Sequence, residues 1–226
     1  MTLILELSNK LKNILSLKSL EKKSEKRIYF FRGVILFLLL IFSLLGANFI
    51  TSHLVFVGMK SVRPHVFFWK TKDKNFDYND FVVVKGKESD RFTKGLLLTK
   101  MIGCKPEDIL VSVIFNSTGE GMFYCCRGVS DLKFYSGDVS GCVYLGKTKT
   151  YSVQYKVRLY PYNPCEDSLV VEKKNLELKD LNAEKCIVRI PKNKYFLYTL
   201  SKDSYDSRYI GLFDESEFLF KLKPIF

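Results

Sequence analysis

The chain has 226 residues, 47% of them hydrophobic, which is enough for an ordinary domain with a core plus an anchor and excludes a disordered chain. Its formal net charge of +12 leaves two partner classes in view: nucleic acid for a soluble protein, anionic lipid headgroups for a membrane protein. Charge alone does not choose between them.

Residues 1–28 carry Leu3, Leu7, Leu11, Ile14 and Leu15 at helical spacing, with lysines on the other face. That pattern describes an amphipathic leader lying on a membrane or against a partner; a weakly ordered leader is the alternative. Residues 29–50 are apolar except for Arg32 and Asn48, long enough as a helix to cross a hydrocarbon core of about 30 Å. A cleaved signal peptide is the competing reading, disfavoured by the long polar stretch in front of the run. Lys10, Lys12, Lys18, Lys22, Lys23, Lys26, Arg27 and Arg32 outnumber Glu6, Glu21 and Glu25 on the N-terminal side, which orients the N-terminus to the cytoplasm. Residues 51–226 then form an extracytoplasmic domain, although basic residues continue at Lys60, Arg63 and Lys70 and soften the asymmetry.

Beyond the span the pattern turns to short apolar or alternating runs broken by turn residues. Strands are predicted at 81–85, 95–102, 109–115, 121–126, 142–145, 151–159, 168–172, 186–190 and 195–200, many rich in Val, Ile, Tyr and Phe. The fold class is therefore mainly β, behind one N-terminal transmembrane helix. Asn116-Ser117-Thr118-Gly119 reads as a turn, with a glycosylation acceptor as the alternative. Cys104, Cys125, Cys126, Cys142, Cys165 and Cys186 all follow the span. An even number suits an oxidising compartment; free buried thiols are the alternative, and spacing does not reveal a pairing.

Two residues carry candidate chemistry. Lys100 sits in the strand-like run from Leu96 to Ile102, without a carboxylate within three positions on either side. An ordinary lysine, of pKa about 10.4, is charged at neutral pH, and burial can lower that by about 3–5 units. The alternative is a lysine that snorkels to the surface from an open strand face. Ser61 lies a short way past the span, where a nucleophile would work at the membrane surface. His53 and His65 are poorly placed as an independent base for a Ser-His-Asp triad, and no Cys-x-x-Cys or similar ligand spacing marks a metal site.

Three stretches together resemble the signal peptidase I family of serine/lysine proteases, and especially its conjugative-transfer TraF-type branch. Ser61-Val62-Arg63-Pro64 is similar to the family's Ser-x-x-Pro nucleophile box. Lys100-Met101-Ile102-Gly103-Cys104-Lys105-Pro106-Glu107-Asp108 lies without gaps on its Lys-Arg-x-x-Gly-x-Pro-Gly-Asp box. Ser204-Tyr205-Asp206-Ser207-Arg208-Tyr209-Ile210-Gly211 resembles Ser-x-Asp-Ser-Arg-Tyr-x-Gly. Asn79-Asp80-Phe81-Val82 and the stretch from Pro191 to Phe196 add weaker matches. The departures are Met101, Cys104 and Glu107 in the lysine box, Thr199-Leu200 where the family has Gly-Asp, and Met59, which cannot donate to an oxyanion.

The resemblance implies a signal-peptidase-like β-sheet catalytic domain with a Ser61/Lys100 dyad. Ser204 would orient Lys100, and Asp206 and Arg208 would form a structural ion pair. Met59, Pro64, Val57 and Phe67 would contact substrate. It implies no cofactor and no metal. The expected activity is cleavage of exported or pilin-type precursors after small residues at the outer face of the cytoplasmic membrane. Precursor protein, membrane lipid and secretion or conjugation components would be the partners; nucleic acid would not, since no helix-turn-helix or RNA-binding signature accompanies the charge. Residues 116–185 match none of the boxes and are expected to form an inserted β-rich cap away from Ser61, held by one or two cross-links among Cys125, Cys126, Cys142, Cys165 and Cys186. An inactive relative serving as a structural component is the alternative function.

Overall fold

A computed structural model describes residues 34–57, 67–129, 131–132, 135–148, 151–153, 157–201 and 204–225. The amphipathic leader and the Met59–Pro64 stretch lie outside these residues. The chain divides into two units, 1–52 and 53–226.

In the first unit the described residues belong to helix α1 (Val34–His53). Its 20 residues, at about 1.5 Å each, reach about 30 Å, the thickness of a bilayer's hydrocarbon core. Leu36, Phe37, Phe42 and Leu44 all stand more than half exposed, as side chains meant for lipid rather than a protein core would. The helix is long and apolar enough to cross a membrane.

The second unit is built from two antiparallel sheets. The first comprises β1 (Leu54–Phe56), β2 (Phe67–Thr71), β3 (Phe81–Lys85), β4 (Leu97–Cys104), β12 (Lys194–Tyr198), β13 (Phe213–Asp214) and β14 (Phe218–Pro224), in the order β1-β2-β14-β3-β4-β12-β13. The second comprises β5 (Ile109–Phe115), β6 (Glu120–Cys126), β7 (Val143–Thr148), β10 (Lys173–Leu178) and β11 (Ala183–Arg189), in the order β10-β11-β5-β6-β7. A separate hairpin pairs β8 (Tyr151–Val153) with β9 (Val157–Leu159).

β3 and β4 read as near-continuous apolar runs because both of their faces are covered. One face carries Val82, Val84, Leu98, Ile102, Leu197 and Phe213. The other carries Phe81, Val83, Met101 and Tyr198, in one core with Leu110, Phe123 and Val188 of the second sheet. The chain passes between the sheets through the turn Lys105–Asp108, closed by a hydrogen bond from Lys105 N to Asp108 Oδ2 at 2.8 Å. Glu107 holds φ +70 there, a left-handed conformation that favours glycine.

The second sheet spans 109–189 and so includes the whole of β5, ahead of residue 116. Three disulfides cross-link the unit: Cys104–Cys125, Cys126–Cys142 and Cys165–Cys186. Two of these, Cys126–Cys142 and Cys165–Cys186, fall within the set expected to hold the cap, and the third ties that set to Cys104. Cys104, on β4, reaches across the shared core to β6, which accounts for a cysteine in the lysine box.

The predicted strand at 168–172 is instead a turn. Asp167 accepts a hydrogen bond from Leu169 N at 2.9 Å, and Val170 N donates to Asp167 O at 3.2 Å. Val170 is buried as a single anchor while Val171 is 88% exposed. The edge strand is β10, where Lys173, Asn175 and Glu177 alternate with less exposed residues. The stretch 151–159 is a hairpin rather than one strand. Asn116–Gly119 is the β5–β6 turn, with Gly119 N bonded to Phe115 O at 2.8 Å.

Replacing both Cys104 and Cys125 by alanine opens a loop of 21 residues and should lower stability by about 2–4 kcal/mol, read from thermal unfolding of the full chain in detergent.

Candidate functional site

Lys100 lies in the middle of β4, paired with Val82 on β3. It points to the face that Leu98 and Ile102 share, and it is 5% exposed. Its Nζ donates to Ser204 Oγ at 2.8 Å. Ser204, also buried, stands between β12 and the short helix α2 (Ser207–Ile210).

The turn that presents Ser204 is fixed by a buried ion pair. Asp206 caps α2, accepting from Arg208 N at 3.2 Å, and its two oxygens take Arg208 Nε at 2.8 Å and an Arg208 terminal nitrogen at 2.7 Å. The same nitrogen donates to Ser201 O at 2.9 Å and Thr199 O at 3.4 Å. Both residues are almost fully buried. A bidentate pair whose guanidinium also donates to two backbone carbonyls is the kind of arrangement that makes such burial tolerable. Leu197 N donates to Ser207 Oγ at 2.8 Å and ties the turn back to β12. On the outer side Tyr205 OH donates to Asp90 Oδ1 at 3.1 Å.

Residues within 116–185 pack against this clamp. Tyr162 N donates to Arg208 O at 2.8 Å. At Gly146 on β7, φ is +110 and a Cβ would stand 2.5 Å from an Arg208 nitrogen, so only glycine leaves room for the guanidinium.

Burial holds the Lys100 amine below the usual lysine range; Asp206's charge pulls the other way, and Arg208's adds to the depression. Asp206 is occupied by Arg208, and among the described residues Lys100 has no ion pair. Lys87 is lowered too, again by burial, but its Nζ donates to Ile210 O at 3.1 Å, a carbonyl that can only accept and so suits an ammonium. A hydroxyl can accept from an ammonium or donate to a free amine, so Ser204 can serve Lys100 in both charge states.

Ser61, Met59 and Pro64 lie outside the described residues. Val57 is buried and, with Val55, Phe56, Val83, Thr99 and Phe220, lines an apolar pocket of about 230 Å³. Thr99 pairs with Val83, so this pocket lies on the face of β4 opposite to the one that carries Lys100. Phe67 meets Phe56 across the β1–β2 pair, with ring centroids 5.5 Å apart. A larger cavity of about 750 Å³, walled by Glu107, Glu172, Lys173 and Arg189 among others, shares no residue with the Lys100 set.

The sulfurs of Cys104 and Cys125 cluster with the Asp108 carboxylate within 4.8 Å, but they are joined in a disulfide and offer no thiolate to a metal. Asp108 instead accepts from Tyr78 OH, at 2.9 and 3.0 Å to its two oxygens. His53 stacks on Trp69 with centroids 5.3 Å apart, a packing role. Sequence reasoning missed Gly146, Tyr162 and Asp90 as supports of the site. None has a local motif, since each matters only through a contact made across the fold.

Because the folded state resists protonating Lys100, the unfolded chain binds the extra proton first as pH falls from its ordinary value of 10.5. The stability cost is absent above that value, grows as pH falls, and is complete below the folded-state pKa. Lys100→Met should therefore stabilise the fold at neutral pH, by about 1.4 kcal/mol for each unit of depression, seen as a raised unfolding temperature, with the gain vanishing towards pH 10.5. A gain independent of pH would mean that Lys100 is not desolvated.

The chain matches no protein-family model and no curated protein sequence.

Proposed function

We propose that the chain is a membrane-anchored serine endopeptidase of the signal peptidase type, with Ser61 as nucleophile and Lys100 as general base. The observation that supports this reading most is the Lys100 amine, buried among apolar side chains, lowered in proton affinity and bonded to a hydroxyl rather than a carboxylate. A serine hydroxyl attacks a carbonyl only when a base takes its proton, and a lysine does so only if neutral. Ser204 would orient the amine, and the Asp206–Arg208 pair would hold Ser204. The lysine box, which keeps Lys100, Pro106 and Asp108 in register, and the Ser-x-Asp-Ser-Arg-Tyr-x-Gly box resemble the family at these same residues.

The reading takes α1 as a single-pass anchor with the β unit on the extracytoplasmic side, in keeping with the basic N-terminal flank and three disulfides. Exported or pilin-type precursors are the proposed substrates.

The test is cleavage of precursor peptides by the full chain in proteoliposomes. Wild type should cut after small residues, and Ser61→Ala and Lys100→Ala should each abolish cleavage. The double variant should be no worse than either, since nucleophile and base act as one unit. Lys100→Arg should be as damaging, because a guanidinium does not release its proton. Activity retained in either alanine variant would refute the dyad; a folded wild type that cuts no precursor would favour an inactive structural component.

A further inference from the structure

Thr199 directly follows β12. The β4–β12 ladder pairs Leu197 with Ile102 and ends with Tyr198 opposite Met101, so Thr199, the next residue, would fall opposite Lys100 if the register were carried one step past the strand. Residues directly opposite on antiparallel strands share a face, with Cβ atoms about 4.5–5.5 Å apart. Here it is the face that Leu197 and Ile102 bury. Thr199 is 1% exposed, and its carbonyl accepts from Arg208.

Its hydroxyl is anomalous. Thr199 Oγ1 has no hydrogen-bond partner, a condition shared among the described residues only by Ser112 Oγ in the second sheet. An unpaired hydroxyl at this depth is costly, and folded proteins rarely leave one without a reason. Lys100 shows the complementary deficit. Among the described residues its one hydrogen bond goes to Ser204 Oγ, whereas an ammonium has three N–H groups to satisfy.

We propose that Thr199 is a positioning residue of the Lys100 site, whose Oγ1 accepts a hydrogen bond from the lysine when the amine is protonated. In the neutral state the amine has two N–H groups and a lone pair, and Ser204 suffices to orient it. When the lone pair takes a proton from an attacking hydroxyl, the O–H bond breaks, an N–H bond forms, and the new ammonium turns one hydrogen to Thr199 while keeping Ser204. Passing that proton to the leaving amine restores the first state. Thr199 thus limits how far burial depresses the lysine's proton affinity. The catalytic meaning rests on the general-base reading above, but the hydrogen bond does not.

The test follows the unfolding temperature of the full chain in detergent from neutral pH to about pH 10.5, with and without Lys100→Met, so that the difference isolates the lysine's folded-state pKa. Thr199→Val keeps the shape and removes the hydroxyl; it should lower that pKa by about one unit, tenfold in proton affinity. Thr199→Ser should restore it, and Thr199→Ala serves if the valine variant does not fold. In peptide cleavage the acidic limb of the pH–rate profile should move to lower pH by the same amount. An unchanged Lys100 pKa in the valine or alanine variant overturns the inference, whether or not the chain cleaves peptides. A shifted pKa in a chain whose Lys100→Ala variant still cleaves leaves the Thr199 contact standing and removes the dyad.

Discussion

The contact between the Lys100 amine and the Ser204 hydroxyl, made away from water, is the constraint on which the rest of the structure depends. An amine cannot be desolvated by its own strand alone. β4 must be covered on both faces and flanked on both edges, which is why it lies between β3 and β12 and why both of its faces belong to buried clusters. The cost of that burial falls on the folding free energy, and the surrounding packing must offset it.

The other half of the contact is held by a different device. Ser204 sits outside regular structure, where a hydroxyl would ordinarily wander, and the Asp206–Arg208 pair replaces the missing ladder with charge-assisted bonds. Arg208 needs space for its guanidinium and a donor for its carbonyl, and the second sheet and Tyr162 supply them: Gly146 on β7 leaves the room, and Tyr162 N donates to Arg208 O. The second sheet is thereby a structural partner of the Lys100 site, joined to β4 again by the Cys104–Cys125 bond. Its expected remoteness from the chemistry does not extend to Arg208.

What the sequence made legible follows from how local each signal is. Lys100 stood out because one cation interrupts an apolar run, and Phe81–Lys85 and Ile109–Phe115 were read with their observed bounds because β-branched residues fill them. β14 went unread although Phe218, Phe220 and Leu222 alternate with Leu219, Lys221 and Lys223, since a C-terminal strand inserted between β2 and β3 has no partner nearby in the chain. Val170 and Val171 suggested a strand, but Asp167 turns the chain there by bonding to the backbone. The disulfide pairing depends on sheet register, which spacing along the chain does not encode.

The account's central claim is that the lysine serves a serine delivered from the stretch that follows the membrane helix. The most direct test is the separation of Ser61 Oγ from Lys100 Nζ in an experimental structure of the full chain in a lipid environment. The account predicts hydrogen-bond reach, or a single bridging water in an unliganded form. A Ser61 side chain pointing to solvent and separated from Lys100 by more than one water, in a chain that also holds a bound precursor peptide, would contradict it.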